Sequence, residues 1–188
     1  LLDFLLRELY LRFLSSDKST ILGVNSFFDT DFQSNHRRGS IGLEALRIRP
    51  KLKLLSIEKR LGGKELINAN ASLLSVFPSK ILEQEALELL EKNAIPNPLK
   101  IPNRVILGGG NSEKVLILDK VLDVITSNGI IAIPLATLEQ LDKVLSLLKK
   151  RDCKSKISQH QSYRGIPLLQ GTRLQPMNPV FIVKVKLK

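Results

Sequence analysis

The 188-residue chain holds a single cysteine, Cys153. One thiol cannot close an intrachain disulfide or build a thiolate-rich zinc site, which excludes a secreted disulfide scaffold and fits a reducing compartment, the cytoplasm by default. Tryptophan is absent and the aromatic residues are seven Phe and two Tyr, with no aromatic-rich nucleic-acid motif among them. Apolar residues never run on for the ~18 or more that a membrane-spanning helix needs. His36 and His160 are the only histidines; with one cysteine they do not make a metal site, and His160 reads as a surface residue of an alternating strand rather than a base. Neither a G-x-S-x-G elbow nor a P-loop is present, so hydrolase and NTPase readings lose their support.

The chain is 43% hydrophobic and 25% charged, the balance of one globular domain with enough Leu, Ile and Val to bury a core, which rules out wholesale disorder and low-complexity classes. Lys and Arg number 29 against 18 Asp and Glu, a formal charge of +11. That charge asks for an anionic partner: nucleic acid, anionic lipid, or a polycarboxylate or phosphorylated small molecule. Because the basic residues are interleaved with apolar positions rather than clustered, most read as solvated helix faces and nucleic acid is disfavoured. The chain opens without an initiator Met, and Asp3, Arg7, Glu8 and Arg12 make residues 1–14 too charged for a signal-peptide core, so the sequence reads as a piece of something longer.

Residues 1–14 carry apolar side chains at helical spacing (Leu2, Leu5, Leu6, Leu9, Phe13) and predict an amphipathic helix ended by Ser15, Ser16 and Asp17. Residues 19–38 have no clear periodicity. From Ser40 onward short apolar strands alternate with amphipathic helices, the grammar of an α/β domain. Helices are expected over 41–48, 64–74, 85–92, 112–126 and from Thr137, as cap, to Lys149. Buried strands are expected over 53–57, 80–82, 104–107 and 130–133, the last stopped by Pro134, with Asn128-Gly129 as the turn before it. Residues 154–161 and 180–186 alternate as half-buried antiparallel strands do, with 165–179 as their connection. About seven strands result, the first uncertain in place: a parallel doubly wound sheet finishing in a strand pair. Such sheets bind ligands outside the carboxyl ends of their strands.

Two strand ends stand out. Glu58 ends the strand over 53–57, where a carboxylate can accept from both hydroxyls of a ribose; the alternative is a solvated acid beside Lys59 and Arg60. Gly108-Gly109-Gly110 leave the next strand end without side chains, open to a ligand, to a neighbouring backbone, or to a plain turn.

The series Gly39-Ser-Ile-Gly-Leu-Glu-Ala-Leu-Arg47, Leu55-Ser-Ile-Glu-Lys59, Leu66-Ile-Asn-Ala-Asn70, Glu85-Ala86, Val105-Ile-Leu-Gly-Gly-Gly110, Thr137-Leu-Glu139 and Asn178-Pro-Val180 resembles the precorrin-6Y methyltransferase family, in its decarboxylating C15-methyltransferase domain. In many organisms that domain is the second half of a bifunctional C5,15 enzyme of cobalamin synthesis, whose first half has no counterpart here. The resemblance runs from Gly39 to about Lys186 and divides the chain into a divergent segment, 1–38, and a methyltransferase domain, 39–188. It implies a class I S-adenosylmethionine-dependent methyltransferase fold, Rossmann-like, with a seven-stranded, mostly parallel sheet whose last strand is antiparallel. By resemblance Gly39, Glu58, Glu85, Ala86, Gly108 and Gly109 would serve the cofactor, S-adenosylmethionine, with Glu58 on its ribose and Glu85-Ala86 beside its adenine. Gly110 and Arg164 would face the substrate, a polycarboxylate precorrin, and residues 159–180, including Asn178, match a conspicuous family segment. Family members commonly assemble, which implies a homo-oligomer.

One departure from the family is pronounced. An acidic residue and a glycine-rich loop, Asp-x-Gly-x-Gly-x-Gly, precede the segment matching Gly39 to Ala45 in the family, whereas here the stretch is Gln33-Ser-Asn-His-Arg-Arg-Gly39, with Asn35 and Arg37 in two of the glycine places. The loss coincides with the end of resemblance upstream. It points to a decayed, non-catalytic relative or to a first segment read from a shifted frame; a divergent loop that still binds the cofactor is the third option. A methyltransferase of the same fold acting on RNA is the remaining rival, allowed by the charge.

Overall fold

The computed structural model describes residues 20–24, 40–108 and 111–187, so the helix expected over 1–14 lies outside the described residues. In chain order the elements are β1 (Thr20–Val24), α1 (Ser40–Ile48), β2 (Lys53–Ile57), α2 (Gly63–Leu73), β3 (Lys80–Leu82), α3 (Ala86–Glu91), β4 (Arg104–Leu107), a 3₁₀ turn (Asn111–Glu113), α4 (Lys114–Val124), β5 (Ile130–Leu135), α5 (Leu138–Lys150), β6 (Ser155–His160), β7 (Tyr163–Leu168), β8 (Gly171–Pro176) and β9 (Val180–Lys186). Seven strands make one sheet in the order β3-β2-β1-β4-β5-β9-β6, and β7 pairs with β8 alone. β1 to β5 run parallel, while β9 is antiparallel to both β5 and β6. This is the seven-stranded, mostly parallel α/β sheet with an antiparallel last strand.

The parallel strands send apolar residues to both faces of the sheet, which is why their centres read as short apolar runs rather than as alternation. Alternate residues enter two cores. Leu22, Leu55, Val105, Leu107, Ile131 and Ile133 pack with α3, α4 and α5 on one face, and Ile21, Leu54, Ile106, Ile130 and Ala132 pack with α1 and α2 on the other. Helix α1 lies close on β2 because Gly42 has no side chain; a Cβ there would sit 2.9 Å from Leu54 Cδ1. Helix α5 begins as expected, with Thr137 Oγ1 accepting from Gln140 N at 3.2 Å and Lys149 and Lys150 in the last turn, where the carbonyl end of the helix favours cations.

Three expectations need correction. The stretch 19–38 does hold an element: Thr20–Val24 is β1, an interior strand of the sheet between β2 and β4. Its start is tied to the loop before β4, with Thr20 N donating to Asn103 Oδ1 at 3.0 Å and Asn103 N to Thr20 O at 3.1 Å. Pro134 does not stop β5. The ladder to β4 ends at Ala132, so beyond it Pro134 has no bond to β4 to lose, and it pairs with Ile182 of β9. The connection over 165–179 is largely the hairpin β7–β8, whose alternation Gly165 and Pro167 conceal; proline is tolerated on an edge strand, where its missing N–H need not serve a ladder.

Among the described residues no helix is long and apolar enough to cross a membrane. Since Leu22 is 1% exposed in the interior strand β1, Leu22→Ala should lower stability by about 2–5 kcal/mol in urea unfolding. A cost near zero would show that residues 20–24 do not belong to the sheet.

Candidate active site

From β1 the chain winds outward through β2 and β3, and from β4 it winds the opposite way to β5. The carboxyl ends of β1 and β4 therefore flank the crevice where a doubly wound sheet takes its ligand. They are joined there, Gly108 N donating to Val24 O at 3.0 Å.

Glu58 follows β2 on one side of this crevice. It is 1% exposed, and its N–H donates to Leu82 O at 2.9 Å, continuing the pairing with β3. The solvated alternative is therefore excluded. Both carboxylate oxygens are engaged by Arg60: Oε1 accepts from Arg60 N at 3.1 Å and Nε at 3.0 Å, and Oε2 accepts from Nη2 at 3.2 Å. The two glycines that follow have separate reasons. Gly62 lies at φ 76, a left-handed conformation that favours glycine, whereas Gly63 opens α2 directly against Glu58, where a Cβ would collide with Cγ of the acid. Glu83, just past β3, caps α2 from outside, its Oε2 accepting from Lys64 N at 3.0 Å.

Glu85 stands before α3, with its carboxylate 3.3 Å from Lys59 Nζ; both side chains are half exposed. Consecutive basic residues, Lys59 and Arg60, thus take one acid each. Ala86 opens α3 and is buried in the apolar core of that face. Gly108 is buried at the end of β4, while Gly39, Gly109 and Gly110, like the stretch from Gln33, lie outside the described residues. The end of β5, the start of β9 and the end of β6 share the same edge through the pairs Leu135–Phe181 and His160–Val180. Arg164, exposed near the base of the β7–β8 hairpin, lies just past β6, the strand at the far end of the sheet from β3. The structure places Glu58, Glu85 and Gly108 at the strand ends around the crevice, and Arg164 on the β7–β8 hairpin outside the main sheet.

Lys114 is a site residue that the sequence reading passed over. It is 5% exposed, and its ammonium donates to Gly108 O at 3.3 Å and Pro134 O at 3.2 Å, tying the carboxyl ends of β4 and β5 together. Burial pushes this ammonium down to about 8. A signal was available: Lys114 falls in phase with Ile117, Leu118 and Val121, the buried stripe of α4.

The precorrin methyltransferase domain model matches residues 37–187. The chain belongs to that family. It is 34% identical over 147 residues to a probable cobalt-precorrin-6B C(15)-methyltransferase (decarboxylating) of Pyrobaculum aerophilum, covering 77% of this chain and 72% of that protein. A precorrin-6Y C5,15-methyltransferase of Geobacter metallireducens shares the family fold, with a TM-score of 0.75 at 20% identity over 96% of this chain and 87% of that one. The O-methyltransferase TomG of Streptomyces achromogenes, solved in complex with SAM, is more distant, at a TM-score of 0.62 and 12% identity over 99% and 79% of the two chains. An inverse autotransporter β-domain model also matches residues 9–56, a span whose described elements are β1, α1 and β2 of the mixed sheet.

Two predictions concern this edge. Gly63→Ala should displace Glu58 and cost about 1–3 kcal/mol in chemical denaturation, although alanine is the better helix former. For Lys114, the folded chain gives up its proton near pH 8 and the unfolded chain near 10.5, so the penalty is full below pH 8 and is relieved as pH rises towards 10.5. Stability should gain on the order of 3 kcal/mol from this group across that window, and Lys114→Met should remove that part of the pH slope.

Proposed function

We propose that the chain transfers a methyl group from S-adenosylmethionine to C15 of a precorrin, or its cobalt form, and releases carbon dioxide from the C12 acetate, as a step of corrin synthesis. One observation carries the reading: a fully buried acid, Glu58, ends the strand beside the switch point in a sheet of this family. The site fits the cofactor in its acid, held inward by the space that Gly63 leaves, and in the short β4 end at Gly108. Glu58 would hold the ribose, Glu85 and Ala86 would flank the adenine, and Gly39, Gly108 and Gly109 would let backbone approach the cofactor. Gly110 and Arg164 would face the substrate.

When bound, S-adenosylmethionine supplies an electrophilic methyl. The chain's own task is alignment and exclusion of water, because a conjugated macrocycle already offers an electron-rich carbon. Loss of carbon dioxide leaves an electron pair that the same conjugated system can accept, so no strong base is required of the protein. Lys114 would keep the ends of β4 and β5 in register beneath the reacting groups. The +11 charge would steer a substrate carrying many carboxylates. The family match favours this reading over RNA methylation.

Incubation with methyl-labelled cofactor and precorrin substrate should yield methylated product and carbon dioxide in equal amounts, with association that slows as salt is raised. Glu58→Ala should weaken cofactor binding by about 10- to 100-fold. A folded chain that yields neither product would place it among the non-catalytic relatives.

A further inference from the structure

The Glu58 carboxylate has little acceptor capacity to spare. A carboxylate offers about four lone-pair positions, and three are filled, two on Oε1 by Arg60 N and Nε and one on Oε2 by Nη2. A ribose presenting two hydroxyls needs two. The acid cannot turn to find them, because it is 1% exposed and seated against Gly63. The Arg60 side chain, by contrast, is 37% exposed, so its guanidinium borders solvent. If it leaves, the backbone N–H of Arg60 still holds Oε1, and three acceptor positions open toward the crevice.

We propose that Arg60 sets the cofactor affinity of this site by competing with the ribose hydroxyls for the Glu58 carboxylate, so that binding requires the guanidinium to give up the acid. The proposal rests on Glu58 holding the ribose. Arg60 is a gate built into the strand end that carries the acid. The planar fork matters as well as the charge, since a lysine at this position would reach the acid without covering both oxygens. The competition makes the effect of Arg60 depend on Glu58, which a general change of surface charge would not do.

Calorimetric titration with S-adenosylhomocysteine of the full chain, Arg60→Ala, Glu58→Gln and the double variant tests this, with unfolding curves confirming that each is folded. Arg60→Ala should bind about tenfold or more tightly than the parent, the removal of a charged bidentate pair, and the gain should vanish in the Glu58→Gln background. Arg60→Lys should fall between, and it reads the same competition if Arg60→Ala does not fold. Unchanged or weaker binding by Arg60→Ala and Arg60→Lys, with Glu58→Gln still weakening it, would overturn the competition and leave the ribose assignment standing. Binding by none of the folded proteins would overturn both.

Discussion

Strand β1 is hydrogen-bonded on both flanks, to β2 from Thr20–Lys53 through Val24–Ile57 and to β4 from Ile21–Arg104 through Val24–Leu107. The carboxyl edge depends on this double pairing. It makes β1 the point at which the winding reverses, and the reversal opens a crevice between strand ends that a sheet wound one way would close. Asn103 secures the start of the strand and Gly108 its end. A central strand missing from residues 20–24 would leave β2 and β4 with no common neighbour.

Charge is arranged around the crevice by the same framework. Burying a carboxylate is costly unless it is paired and hydrogen-bonded, and Glu58 meets that condition through a residue two positions away. Gly63 supplies the space and Glu83 anchors the helix that carries it. On the other side, Lys114 is a buried cation in the first turn of α4, a position that the helix dipole disfavours; backbone carbonyls of two strands receive it instead. Glu58 and Lys114 are thus both already engaged by the protein, and a ligand that takes up the acid must exchange partners with Arg60.

How legible this was varied with the kind of signal. Strands 53–57, 80–82 and 104–107 were read to the residue, because each has a short apolar centre bounded by polar residues within an alternation of strands and helices. Strand β1 was hidden: Gly23 interrupts its apolar residues, and the polar residues on both sides of it follow no helix or strand period that would frame it. Pro134 and Pro167 misled because a proline penalises only a strand that needs its N–H, a matter of which neighbour lies on which flank. For the site, spacing placed Glu58 at a strand end, but the adjacency of Lys59 and Arg60 left their direction open. Only the fold shows that Arg60 turns back onto the acid while Lys59 reaches across to Glu85.

In the proposed function, the crevice beside β1 takes a nucleoside whose ribose is held by Glu58. A crystal structure of the chain grown with S-adenosylhomocysteine tests it most directly. Both ribose hydroxyls should lie about 2.6–3 Å from the Glu58 carboxylate, with the Arg60 guanidinium turned away. Ligand bound elsewhere, or bound in the crevice with the Glu58–Arg60 pair intact and the hydroxyls turned from the acid, would contradict the account.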